Sequence, residues 1–200
     1  MLSQFSSSLI TILIATTVGS AESKALDIDF GHIQPGLEFG TPCKAAVNVL
    51  DRLGLSYLQQ VENNWIIITG GQMLGHPLQQ INESPSKSRE TSKIWCSHAT
   101  GIYRVELIWP EPPTGSLYTN LIETLTQKLQ SPPNFKKVRR RGSRSCATWP
   151  ASKAKAKAIR NTVQVCQGRA FTKLNARSPK LERAAKAANA RKKLNEVSVP

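Results

Sequence analysis

Acidic side chains are nearly missing from the last third of this 200-residue chain: from Phe135 to Pro200 only Glu182 and Glu196 oppose 19 Lys and Arg residues. Met1 to Asn134 holds 8 basic and 11 acidic residues, so the two parts carry +17 and −3 and sum to the net +14. Charge confined to one end is the footprint of a surface for something anionic, not of a general solubility device. Aromatic residues are scarce as well, at 6% of the chain, and the basic third has only Phe135, Trp149 and Phe171 to interleave with its cations. Base-stacking surfaces need that interleaving, and no RNP motif, zinc finger or helix-turn-helix is present. Sequence-specific nucleic-acid recognition is therefore not expected.

Other absences narrow the chemistry. There is no G-x-S-x-G, no phosphate-cradling P-loop and no G-x-G-x-x-G; Gly70-Gly71-Gln72-Met73-Leu74-Gly75 is a turn with glycines. No C-x-x-C pair occurs, so Cys96-Ser97-His98 lacks the paired ligand spacing of a zinc site. A cysteine hydrolase built on Cys43 would need a base from His32, His76 or His98, and none stands in a matching local sequence. Asp27 and Asp29 share the polar side of a short alternating run. Glu106 and Glu111 flank Trp109 at one strand end, a proximity that names no reaction. No catalytic residue, metal or cofactor is expected.

Long hydrophobic runs are missing too. The longest, Leu9 to Val18, spans about ten residues, which is short for a bilayer-crossing helix and right for the core of a secretory signal. Residues 1 to 21 carry no charged side chain, and Gly19 and Ala21 are the small residues a signal peptidase prefers. Cleavage near Ala21 and a secreted or periplasmic destination are expected, with no transmembrane span in the mature chain. In that compartment Cys43, Cys96, Cys146 and Cys166 read as two disulfides, and pairing Cys43 with Cys96 and Cys146 with Cys166 staples elements within each half. Asn82-Glu83-Ser84 matches a glycosylation acceptor.

The pattern of the mature chain predicts one α+β domain over 22–177, followed by a basic helix or tail over 178–200. Leu26 to Phe30 alternates like a strand. A helix begins near Thr41-Pro42 and stops at Gly54, and Trp65 to Thr69 is a buried strand. Residues 76–92 read as a flexible loop rich in Ser, Gln and Pro. Lys93–Cys96 and Ile102–Trp109 form a hairpin, Ser116–Leu129 a second helix, and Phe135–Arg140, Ser145–Trp149, Thr162–Cys166 and Arg169–Ala176 further strands. The expected architecture is a mostly antiparallel sheet with two to three helices on one face and a weak repeat of hairpin and helix.

Lys136, Lys137, Arg139, Arg140, Arg141 and Arg144, together with Lys153, Lys155 and Lys157, are the residues expected to bind a polyanion. Their partner would be an anionic polymer, an anionic membrane surface or an acidic protein. A membrane-lying final helix is disfavoured because its apolar side is mostly alanine. The leading expectation is a non-enzymatic exported module that attaches to an anionic envelope component. The alternative is a small exported hydrolase or inhibitor-like protein using an aromatic groove of Trp95, Trp109 and Trp149. A second alternative keeps the chain in the cell, with reduced cysteines and nucleic acid on its basic face.

Overall fold

The computed structural model describes residues 28–60, 64–80, 91–110, 115–136, 145–150 and 160–197. The expected signal segment, Asp27, Asn82, Glu111 and the cations Lys137, Arg139, Arg140, Arg141, Arg144, Lys153, Lys155 and Lys157 lie outside these residues.

Helix α1 (Cys43–Arg52) is followed by strands β1 (Ser56–Gln60), β2 (Trp65–Gly70), β3 (Gln72–Met73), β4 (His76–Pro77), β5 (Ser92–Ser97) and β6 (Gly101–Pro110). Helix α2 (Leu117–Leu129) then leads into β7 (Asn134–Lys136), β8 (Ser145–Trp149), β9 (Thr162–Gln167) and β10 (Phe171–Arg177), and α3 (Pro179–Val197) ends the order. Eight strands make one antiparallel sheet in the order β1-β2-β5-β6-β10-β9-β8-β7, while β3 and β4 pair separately. The fold is thus α+β and mostly sheet. Each half runs helix, then four sheet strands, and the halves meet last strand to last strand, β6 against β10.

Alternation along each strand builds one apolar face. Ile66 and Ile68 of β2, Ile94 of β5, Val105, Leu107 and Trp109 of β6, Leu174 and Ala176 of β10, Val163 and Val165 of β9, and Ala147 and Trp149 of β8 are buried in a single cluster. Register puts them in line, with Ile94 opposite Val105, Leu107 opposite Leu174, and Leu174 opposite Val165. Ala46, Val49 and Leu50 of α1 and Leu121, Leu125 and Leu129 of α2 recur at three- and four-residue spacing and belong to the same cluster. Burying a side chain such as Leu125 contributes on the order of 2 kcal/mol. Helix α1 stops where expected, with Leu53 as its C-cap and Gly54 at φ +66 just beyond it.

All four cysteines are bridged. Cys43–Cys96 ties the first turn of α1 to β5 with Cα atoms 5.6 Å apart, and Cys146–Cys166 joins directly paired positions of β8 and β9 at 4.1 Å. Gly101, at φ +67, opens β6 beside the chain entering α1. Ile102 N–H donates to the Thr41 carbonyl, Gly40 N–H donates to the Ile102 carbonyl, and a Cβ on Gly101 would collide with the Gly40 carbonyl.

Two expectations need correction, and one strand has no counterpart among them. The alternating run ending at Phe30 is not a strand in its described part: Phe30–His32 is a 3-10 turn. The Asp29 carboxylate accepts from the backbone of Gly31 at 3.0 Å and of Phe39 at 2.8 Å, and this local capping outcompetes strand pairing. The loop placed at 76–92 has structured ends, since His76–Pro77 pairs with β3 and Ser92 already pairs within β5. Strand β1 had no counterpart in the sequence reading, because Ser56-Tyr57-Leu58-Gln59-Gln60 forms an edge with mostly polar side chains and lacks the apolar alternation that marks a strand.

Candidate functional site

The sheet's second face carries the side chains that alternate with the core. Three rows cross it in register. The first runs Trp65, Trp95, Arg104, Arg177, Thr162; the second Lys93, Glu106, Asn175, Gln164, Thr148, Asn134; the third Ile108, Lys173, Cys166, Cys146, Lys136. Among the described residues five cations, Lys93, Arg104, Lys136, Lys173 and Arg177, stand on this face; Glu106 is the carboxylate among them on the strands, and Glu182 of α3 pairs with Arg177 from beside it. Among the described residues its polar character is interrupted by Trp65 and Trp95, by the Cys146–Cys166 bridge, by the buried Ile67 and Ile108, and by Leu58 and Phe171 at the margins.

Glu106 is 8% exposed and organises the centre. Its Oε2 accepts from Arg104 Nη2 at 2.8 Å and its Oε1 lies 2.7 Å from Lys173 Nζ. Arg104 Nε donates to Asn175 Oδ1 at 3.1 Å, and the guanidinium carbon lies 4.3 Å from the centre of the Trp95 ring. Trp95 meets Trp65 edge to face at 6.2 Å, and Lys93 Nζ sits 4.7 Å over Trp65. Each such cation–ring contact contributes about 0.5–1 kcal/mol where the groups are partly exposed. A guanidinium held by a ring face, an amide and a carboxylate is ordered before any ligand arrives. Gln164 Nε2 donates to Thr148 Oγ1 at 3.1 Å farther along the second row.

Helix α3 starts beside this face. Ser178 N–H donates to the Tyr103 carbonyl, and Glu182 bonds Arg177 and, at 2.9 Å, Lys186. Burial pushes the Glu182 carboxyl upward, but the hydrogen bonds from Lys186 and Arg177 outweigh it and hold the group below the usual carboxylate range. Burial, reinforced by the charge of Glu182, pushes the Tyr103 phenol up.

No protein-family model matches the chain, and no curated protein or solved structure matches it either.

Of the expected polyanion-binding residues, Lys136 is described; it is exposed at the end of β7 on the second face. The proposed groove of Trp95, Trp109 and Trp149 does not form. Trp109 and Trp149 are fully buried on the core face, with Trp149 Nε1 donating to the Ser131 carbonyl at 2.8 Å, whereas Trp95 lies on the opposite face with Trp65 as its partner. The reason is parity: Arg104 lies opposite Trp95, and Trp109 follows Arg104 by five positions, an odd step, so residues 105, 107 and 109 turn to the other face. The same parity separates Glu106 from Trp109. Cys43 is held in a bridge and is not a thiol nucleophile; with Lys44, Trp65 and His98 it lines a cleft of about 200 Å³ at the end of the sheet. Among the described residues no three His, Cys, Asp or Glu side chains gather as a metal-binding group, and no helix is long and apolar enough to cross a membrane.

Sequence reasoning missed Lys93, Arg104, Lys173 and Arg177 as parts of one surface. Their signal was available in Lys173-Leu174-Asn175-Ala176-Arg177 and in Arg104-Val105-Glu106, where charged and apolar residues alternate strictly.

Proposed function

We propose that the protein is an exported, disulfide-bridged, non-enzymatic module that attaches to an anionic polymer of the cell envelope through its cationic C-terminal third and the cationic face of its sheet. The observation that carries this reading is the set of five cations that strand register gathers on one face around Glu106. The charge division of the chain supports it, since three of the five belong to the basic last third. Two bridges suit an oxidising compartment.

The test is binding of the oxidised protein to immobilised polyanions as salt is raised. Five cations less the charges of Glu106 and Glu182 leave three net charges to neutralise; at about −0.7 each the slope is about −2, so a fourfold rise in salt weakens binding about 20-fold. Salt-independent binding, or none at low salt, overturns the proposal.

A further inference from the structure

We infer that the second face of the sheet is a platform for a chain of acidic sugars, a hexuronate polysaccharide, with Arg104 as its carboxylate-reading group. This rests on the anionic-polymer reading above and names both the polymer and the place where it lies. Three observations converge on it.

The first is the state of Arg104. Trp95 lies against its plane, Asn175 takes Nε and Glu106 takes Nη2, while Nη1 has no partner among the described residues. The side chain is 31% exposed, so the remaining edge of the fork is reachable. A planar guanidinium fixed in this way is matched to a carboxylate, which it can grip with two parallel N–H donors; a mobile lysine offers only a point charge. Lys93, directly opposite Glu106 on β5, and Lys173, bonded to Glu106 from β10, flank it. Because Glu106 neutralises one charge, the three cations leave a local excess of two.

The second is the row beyond it. Lys93, Glu106, Asn175, Gln164, Thr148 and Asn134 occupy one register line across β5, β6, β10, β9, β8 and β7. Five steps of about 4.8 Å make a line about 24 Å long. One strand spacing is close to the length of one sugar residue in an extended chain, so successive sugars meet successive strands. Amides and a hydroxyl are the groups that bond sugar hydroxyls, whereas a bare polyphosphate has no use for them.

The third is the way the tryptophans are used. Both lie outside the core cluster on a half-buried surface, and each has a cation over its ring, Lys93 on Trp65 and Arg104 on Trp95. Stacked nucleobases need those ring faces free. Rings capped by cations leave this surface to ion pairing and hydrogen bonding, the contacts that a carboxylated sugar chain makes.

The experiment titrates the oxidised full chain with oligogalacturonate, with its methyl-esterified form and with inorganic polyphosphate, reading tryptophan fluorescence and binding affinity. The variants are Arg104→Lys, Lys93→Gln and Trp95→Leu, with far-UV circular dichroism to confirm folding; the first two change partly exposed side chains and keep the test valid should Trp95→Leu fail to fold. Oligogalacturonate is expected to bind and perturb the fluorescence, the esterified form to bind at least about tenfold more weakly, and Arg104→Lys to lose about tenfold for oligogalacturonate with polyphosphate affinity unchanged. Equal affinity for polyphosphate and oligogalacturonate, both untouched by Arg104→Lys, overturns the platform and leaves the anionic-polymer reading standing. Binding of neither polymer overturns both.

Discussion

Replacing Glu106 by Gln should weaken the fold and strengthen anion binding at the same time. The carboxylate is 8% exposed and its two oxygens meet Arg104 at 2.8 Å and Lys173 at 2.7 Å, while those partners keep 31% and 33% of their side-chain surface. Breaking a fully buried pair costs about 3–5 kcal/mol and an exposed one about 0.2–1 kcal/mol. One dehydrated carboxylate facing two partly hydrated cations falls between these limits, at about 2 kcal/mol, because Gln keeps the shape and one acceptor for Arg104. For a chain of this size that is a fall of about 4–8 °C in Tm, or a lower urea midpoint with unchanged slope at pH 7. Lys173→Gln should cost about 1 kcal/mol, and the double variant should cost less than the sum, since both changes remove the same pair. Loss of this carboxylate should also raise affinity for a carboxylated polymer about fivefold. An unchanged urea midpoint, or weaker polymer binding in a folded Glu106→Gln protein, would refute the reasoning.

The remaining predictions concern the frame that presents this face. In the chain-entropy model, replacing Cys43 and Cys96 by Ser opens a 53-residue loop and costs about 4 kcal/mol, and replacing Cys146 and Cys166 opens a 20-residue loop and costs about 3 kcal/mol, both read from urea midpoints. Gly101→Ala should destabilise by at least about 2 kcal/mol in the same assay, because φ is +67 and the new Cβ meets the Gly40 carbonyl. Glu182→Gln should cost about 1 kcal/mol at pH 7, discounted because Arg177 and Lys186 are largely exposed. Since the folded-state carboxyl is held below its ordinary value of 4.5, that contribution is complete above this value and disappears as pH falls through the lowered one, so the two proteins should converge in stability in strong acid.

The elements that were legible in the sequence are those whose side chains obey one period. Trp65-Ile66-Ile67-Ile68, the β5–β6 hairpin, Leu117 to Leu129 and the β9–β10 hairpin all announced themselves by apolar spacing, and the disulfide pairs followed from keeping each bridge within one half. Strand β1 stayed hidden because an edge strand with one buried neighbour needs no apolar alternation. The turn at Phe30 was misread because a period-two pattern does not show that the Asp29 side chain will seize nearby N–H groups. The site was hidden for a different reason. Lys93, Arg104, Lys173 and Arg177 are up to 84 positions apart in sequence, counting from Lys93 to Arg177, and only the β6–β10 junction of the two halves brings them together. A run such as Lys136 to Arg144 attracts notice because its charges are consecutive. Cations that stand singly on a strand, as Lys93 and Arg104 do, or four apart, as Lys173 and Arg177 do, look like the solvent side of any sheet until the register shows whose neighbours they are.

The most direct measurement is the indole N–H spectrum of the oxidised protein during titration with oligogalacturonate. Four signals are available: Trp65 and Trp95 belong to the cationic face, and Trp109 and Trp149 are fully buried on the other side of the sheet. The account predicts that the first two signals move with polymer concentration, that the movement is reversed by raising salt, and that the second pair stays in place. Polymer that binds without moving the Trp65 or Trp95 signal would place the attachment elsewhere and contradict it.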